Sequence, residues 1–236
     1  MKNIAIITAR SGSKGLKDKN IKKLNDIPLI AYSINAALNS KCFDEVMVST
    51  DSIEYMEIAK KYGASAPFMR TEENSSDNAG SWDVVKEVLC NYRKLEQKFD
   101  TICLLQPTSP LRRAIDIQRG YSMMVEKKAD AITAVTEVDH SPLWCMELPE
   151  DKSLKKYRQR NIGNAPRQNL NTFYRINGAL YIRKINYEND DIKIIDENEY
   201  AYIMPQERSV DIDTLKDFKY AEFLIENKMI GEYEDE

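Results

Sequence analysis

Ile4-Ala5-Ile6-Ile7-Thr8-Ala9-Arg10-Ser11-Gly12-Ser13-Lys14-Gly15-Leu16, with Lys19-Asn20 just beyond, is a short apolar run that empties into a loop of glycines, hydroxyls and cations. The pattern predicts a strand delivering a phosphate loop. Two glycines free the backbone to turn its N–H groups toward an anion, Ser11 and Ser13 add hydroxyl donors, and Arg10, Lys14 and Lys19 supply positive charge. Between Met1 and Lys23 the basic residues Lys2, Arg10, Lys14, Lys17, Lys19, Lys22 and Lys23 face one acid, Asp18, in a chain whose formal net charge is −4. The positive charge is local, which points to a local anionic ligand. The loop matches neither G-x-x-x-x-G-K-[ST] nor G-x-G-x-x-G, which argues against a P-loop NTPase and a dinucleotide fingerprint. A basic surface loop after an edge strand is the alternative. Ligands of open α/β sheets bind at the carboxyl ends of strands, where this loop stands.

Outward from the loop, strand and helix patterns alternate. A helix is expected over 28–38, a strand over 45–50, and a helix over 53–62 with Asp51 and Glu54 at capping-box spacing and Gly63 as its C′ residue. A short strand at Ala66-Pro67-Phe68 and a helix over 81–95 follow. Thr101-Ile102-Cys103-Leu104-Leu105 is a continuous apolar run of the kind a strand buried on both faces shows. Two prolines then stiffen Gln106-Pro107-Thr108-Ser109-Pro110 into a turn. A helix over 115–126, strands over 131–135, 178–183 and 201–204, and a last helix over 215–228 complete an α/β three-layer sandwich with a mostly parallel sheet. The alternation fails between Thr136 and Tyr174, which holds Trp144 and the basic run Lys155-Lys156-Tyr157-Arg158-Gln159-Arg160. That stretch is expected to be an insertion that packs on a neighbour or covers the ligand, with a solvated loop as the alternative.

At 236 residues, 42% hydrophobic and 31% charged, the chain is expected to form one domain over 1–228 with an acidic, frayed tail at 229–236. Cys42, Cys90, Cys103 and Cys145 lack the close spacings of zinc or C-x-x-C redox sites. The amino end does not read as a signal peptide and no stretch has transmembrane length, so the cytoplasm is the expected compartment. His140 is the one histidine, in a turn-like context, so a triad or His-rich metal site would have to run through it alone. Chemistry is expected to rest on charge, carboxylates and a bound ion.

Asp211 and Asp213, in Glu207-Arg208-Ser209-Val210-Asp211-Ile212-Asp213, fall on one side if the segment is extended. Two convergent carboxylates repel unless a cation neutralises them, and Mg²⁺ takes one or two protein carboxylates together with phosphate oxygens. The alternative is that Asp213 or Thr214 caps the last helix, with Thr214 and Asp217 at capping spacing.

Taken in order, Ala9–Gly15 with Lys19-Asn20, Leu104–Arg112, Arg167-Gln168 with Tyr174, Asn177–Ile182 and Pro205–Asp213 make the chain resemble the acylneuraminate (CMP-sialic acid, nonulosonic acid) cytidylyltransferases over nearly its whole length. The resemblance implies a Rossmann-like nucleotidyltransferase fold and transfer of CMP from CTP to a nine-carbon keto sugar acid, with Mg²⁺ as cofactor. It implies that Arg10, Ser11, Gly12, Ser13, Lys19 and Asn20 hold the triphosphate, and that Arg70, Ala79 and Ser81 line the cytosine pocket. Gln106, Thr108, Ser109, Arg167, Gln168 and Tyr174 would serve the sugar, with Arg167 on the sugar side or its carboxylate. Asp211 and Asp213 would bind Mg²⁺, and Arg10 and Lys19 would join them as catalytic residues. It further implies a homodimer in which the Thr136–Tyr174 insertion reaches the partner.

Thr8 stands where that family usually has proline, and Asn171 replaces a second one. Trp144 lies near where some sialic-acid enzymes place a lysine, which opens legionaminate- or pseudaminate-type sugars beside N-acetylneuraminate. A Kdo or sugar 1-phosphate nucleotidyltransferase and a non-catalytic nucleotide sensor are the rival readings. Overall acidity argues against nucleic-acid binding.

Overall fold

The first strand, β1 (Asn3–Thr8), sorts its side chains between two cores by its two-residue period. Ala5 and Ile7 point into a cluster with Ile30, Ile34, Ile117 and Tyr121, while Ile4 and Ile6 point into another with Val85, Val88 and Leu89. All four β1 residues are wholly buried, and each isoleucine so buried contributes about 1.5–3 kcal/mol. Helices therefore cover both faces of the sheet, as expected of a three-layer sandwich. The computed structural model describes residues 1–12, 15–158, 171–188 and 191–230.

β1 leads through the phosphate loop to a hairpin of β2 (Lys23–Leu24) and β3 (Ile27–Pro28). Its turn residues Asn25 and Asp26 both have positive φ, the backbone of a tight hairpin turn. Helix α1 (Leu29–Ser40), strand β4 (Glu45–Ser49) and helix α2 (Ile53–Lys61) follow. The α2 cap is Ser52, which accepts from the Tyr55 N–H, rather than Asp51. The expected strand at 66–68 forms only isolated parallel bridges at Ser65 and Met69, since Pro67 has no N–H for a ladder. A four-residue helix α3 (Glu72–Ser75), then α4 (Ser81–Lys94), β5 (Thr101–Leu105), α5 (Ala114–Glu126) and β6 (Ala131–Glu137) come next.

After β6 the described chain carries a single turn at Pro142–Trp144 and helix α6 (Lys155–Arg158) before β7 (Tyr174–Glu188). Strands β8 (Asp191–Ile195) and β9 (Glu199–Ile203) and helix α7 (Leu215–Glu226) close the fold. The sheet order is β4-β1-β5-β7-β6-β9, with β8 paired to β7. β1 is parallel to β4 and β5, and β6 to β9, whereas β7 runs antiparallel to β5, β6 and β8. β7 is longer than the expected 178–183, and β8 was not expected. The register on β6 slips near Asn177–Gly178, where Gly178 has φ +77°. α7 lies over Leu24, Leu29, Leu111, Val210 and Ile212 in a third apolar cluster. This cluster seats the Asp211 segment against the β2–β3 hairpin. The acidic tail expected at 229–236 lies from 231 onward outside the described residues.

Candidate active site

A cleft of about 520 Å³ opens at the carboxyl ends of β1 and β5. The phosphate loop lines it with Arg10, Gly15, Lys19 and Asn20; the 70–84 region with Arg70, Ala79 and Ser81; the proline turn with Gln106 and Thr108; and the carboxylate segment with Asp213. Gly15 is dictated by close approach, since a Cβ there would stand 2.6 Å from the Asp213 carbonyl oxygen. Gly12, by contrast, has open space around it and no left-handed φ. Ser13 and Lys14 lie outside the described residues.

Each cation in the cleft has an internal partner. Arg10 Nη1 meets Asp77 Oδ1 at 2.8 Å. The Lys19 ammonium donates to the Ile212 carbonyl at 2.6 Å and to Asp213 Oδ1 at 3.0 Å, leaving one of its three N–H bonds for a ligand. Asn20 donates through Nδ2 to the Arg10 carbonyl at 3.0 Å and so ties the loop's two ends. Ser11 gives its N–H and its hydroxyl to Asp51, at 2.8 and 3.1 Å, and so holds the loop to the end of β4 rather than facing the cleft. Asp51, expected as a helix cap, is thus the loop's anchor. Arg70 is buried, donates through Nε to Ser49 Oγ at 3.0 Å and also to the Ser49 carbonyl. Burial lowers its pKa to about 10, which leaves it charged at neutral pH.

The proline turn is built from beneath. Arg112, buried, donates to Ser33 Oγ at 2.7 Å and to the Ser109 carbonyl at 3.2 Å, and burial lowers its pKa to about 10. Its Nε finds no acceptor among the described residues. Ser109 is wholly buried and donates to the Asn177 carbonyl, so it supports the turn instead of meeting a ligand. Gln106 and Thr108 face the cleft. Asn177 in turn donates to Ser209 Oγ at 2.9 Å, which joins β7 to the carboxylate segment.

In that segment Val210 and Ile212 are buried while Asp211 and Asp213 are exposed, the alternation expected of an extended stretch. Helix α7 is capped by Thr214, whose side chain accepts from the Asp217 N–H, so Asp213 is not needed as the cap. Asp211 accepts from Thr108; partial loss of water, aided by the charge of Asp213, nonetheless pushes its carboxyl above the ordinary range, against the pull of Lys19 and Arg175. Asp213 lines the cleft, whereas Asp211 does not. Tyr174 is exposed and does not line the cleft. Arg167 and Gln168 lie outside the described residues. Sequence reading missed Asp51, Asp77 and Arg175, none of which sits in a motif of its own.

The two carboxylates and the Thr108 hydroxyl are hard oxygen donors, and no group of three or more His, Cys, Asp or Glu side chains that could hold a metal occurs among the described residues. Such a set fits an Mg²⁺ that arrives with phosphate oxygens better than a caged resident ion.

Comparison with known proteins agrees with this geometry. The sequence profile described as Cytidylyltransferase matches residues 4–235. A pseudaminic acid cytidylyltransferase of Campylobacter jejuni is 33% identical over 95% of this chain and 96% of its own. The CMP-N,N'-diacetyllegionaminic acid synthase of Legionella pneumophila is 34% identical over 96% and 97%. An N-acylneuraminate cytidylyltransferase of Escherichia coli is 36% identical over 93% of this chain but 51% of its own length. Among solved structures, a CMP:2-keto-3-deoxy-manno-octonic acid synthetase complexed with CTP superposes with a TM-score of 0.69 over 97% of this chain and 100% of that one, at 15% identity, which speaks to the fold. A cation-lined cleft at the carboxyl ends of parallel strands, with Asp213 in its lining, and these matches lead to one conclusion: the chain belongs to the cytidylyltransferase family, among the acylneuraminate-type enzymes.

Proposed function

We propose that this enzyme transfers CMP from CTP to the anomeric hydroxyl of a nonulosonic acid, releasing pyrophosphate, with Mg²⁺ as cofactor and as a homodimer. The observation that carries the reading is the meeting of Arg10 and Lys19 with Asp213 in one cleft whose other end offers Arg70, Ala79 and Ser81. The names of the relatives support a substrate of the pseudaminic, legionaminic or N-acylneuraminic kind.

The sugar hydroxyl attacks the α-phosphorus as pyrophosphate departs, so attacker, phosphoryl group and leaving group all need their charge shielded. Arg10 and Lys19 meet the triphosphate by exchanging Asp77 and Asp213 for phosphate oxygens, and Gly15 and Asn20 keep the loop's shape while they do so. Arg70, fixed on Ser49, walls the base end, and Gln106 and Thr108 face the sugar. Asp211 and Asp213 would hold Mg²⁺, an arrangement that relieves their mutual repulsion. When bound, Mg²⁺ screens the phosphate charge and lowers the pKa of the attacking hydroxyl. The region from Thr136 to Tyr174 would contact the second subunit, together with Tyr174, Ile176 and Ile203, which are exposed apolar residues of β7 and β9. The cytoplasm, where CTP is made, is the compartment this reading requires.

Pyrophosphate release from CTP and Mg²⁺ tests the proposal, with N-acetylneuraminate, a legionaminate, a pseudaminate and Kdo compared and UTP and sugar-free controls. Release with a nine-carbon acid and CTP alone is expected. Release with none of the acids from folded protein would overturn it. Arg10→Ala is expected to lower turnover by about 10²- to 10³-fold, the usual weight of one positioned electrostatic donor.

A further inference from the structure

In a 2-keto sugar acid the anomeric carbon bears both the attacking hydroxyl and the carboxylate. Whatever binds that carboxylate must stand beside the place where the hydroxyl meets phosphorus, next to the Asp211–Asp213 pair. It should be a cation anchored from the protein side and not already engaged by an acid. Lys19 is paired with Asp213, and Arg10 with Asp77. Arg70 and Arg112 are buried on backbone and hydroxyl acceptors.

Arg175 meets the requirement. It leaves β7 two residues before Asn177, and both side chains reach Ser209, two residues before Asp211: Asn177 through the Ser209 hydroxyl at 2.9 Å, Arg175 through the Ser209 carbonyl at 3.1 Å. Asn177 is buried and Arg175 exposed. Arg175's Nη2 is thus held while the residue as a whole stays exposed, beside the carboxylate segment rather than in the lining of the cleft itself. Its charge is one of those that favour the ionised Asp211 carboxyl, behind Lys19. A guanidinium held by one nitrogen retains the paired N–H groups that match a carboxylate in two-point fashion.

We infer that Arg175 recognises the carboxylate of the acid substrate and orients the anomeric hydroxyl toward the Asp211–Asp213 pair. The inference rests on the function proposed above, and it adds a residue of β7 to the sugar side, where the family resemblance also places Arg167.

The test compares wild type with Arg175→Gln and Arg175→Lys on the nonulosonic acid that wild type turns over and on the same sugar with its carboxylate converted to an amide. CTP affinity is measured separately by calorimetry with Mg²⁺. Arg175→Gln keeps a donor for the Ser209 carbonyl, and it is expected to raise KM for the acid about 10- to 100-fold with CTP affinity unchanged. It should also lose the wild-type preference for acid over amide, and Arg175→Lys should regain part of that preference. An unchanged KM, an equal loss on acid and amide, or a parallel fall in CTP affinity would overturn the inference while leaving the cytidylyl transfer intact. Absence of wild-type turnover with every nonulosonic acid would instead overturn the functional reading beneath it.

Discussion

Asp211 carries a cost that its neighbours only partly offset. Folding withdraws water from its carboxyl and sets it near Asp213, so its pKa lies above that of an ordinary aspartate. An acid whose pKa rises on folding binds its proton more tightly in the folded state. Its contribution to stability therefore improves as pH falls through the raised value and worsens as pH rises through it. Asp211→Asn is accordingly expected to melt at a higher temperature than wild type in neutral, metal-free buffer, a difference that should shrink on acidification. The same variant should lose turnover by at least about 10²-fold, as for the loss of one electrostatic group. A lower melting temperature, measured calorimetrically without Mg²⁺, would contradict the charge argument. Arg10 and Asp77 make the opposite kind of pair, in which an internal carboxylate holds the cation that the triphosphate would claim.

At the scale of elements, β7 braces two segments that line the cleft, the proline turn through Ser109 and the carboxylate segment through Ser209. Gly178 takes φ +77°, and a Cβ there would fall 2.4 Å from Gln106 Oε1 and 3.1 Å from Ser109 Oγ. Gly178→Ala should cost roughly 1–3 kcal/mol through the backbone conformation alone, read as a fall in urea midpoint, and should disturb sugar binding by displacing Gln106. An urea midpoint equal to wild type would remove the turn from this account. This element also marks the limit of what sequence discloses. β1, β5 and the Asp211–Asp213 segment were legible because their patterns are local: a period of two, a continuous apolar run, and a loop whose cations stand together. The strand was expected only from Gly178 because Asn177-Gly178 interrupts the local strand pattern, whereas one long strand passes through it. β8 was missed because its value as a strand lies in pairing with β7, and the β2–β3 hairpin because Asn25 and Asp26 replace the expected glycine. Ser109 and Ser11 were taken for ligand donors because their hydroxyls sit in motifs; which way a hydroxyl points is decided by Asn177 and Asp51, distant in sequence.

Over the whole molecule, the cleft joins parts drawn from both ends of the chain. A ligand that binds only the folded state stabilises it by RT ln(1 + [L]/Kd), about 2.7 kcal/mol at a hundredfold excess over Kd. For a chain of this size that corresponds to roughly 5–10 °C in Tm. CTP with Mg²⁺ at such a concentration is expected to raise Tm by that amount in differential scanning fluorimetry, and UTP much less. Equal shifts with both nucleotides would argue against a cytosine pocket at Arg70, Ala79 and Ser81. The ion pair between Lys19 and Asp213 spans 194 positions of sequence, and contacts that distant carry the largest loop-closure entropy. A nascent chain emerging from the ribosome therefore holds its phosphate loop long before the carboxylates that face it exist. A polypeptide cut off before the carboxylate segment would lack this wall of the cleft and the partner of Lys19, and is expected to hold nucleotide less tightly than the finished enzyme.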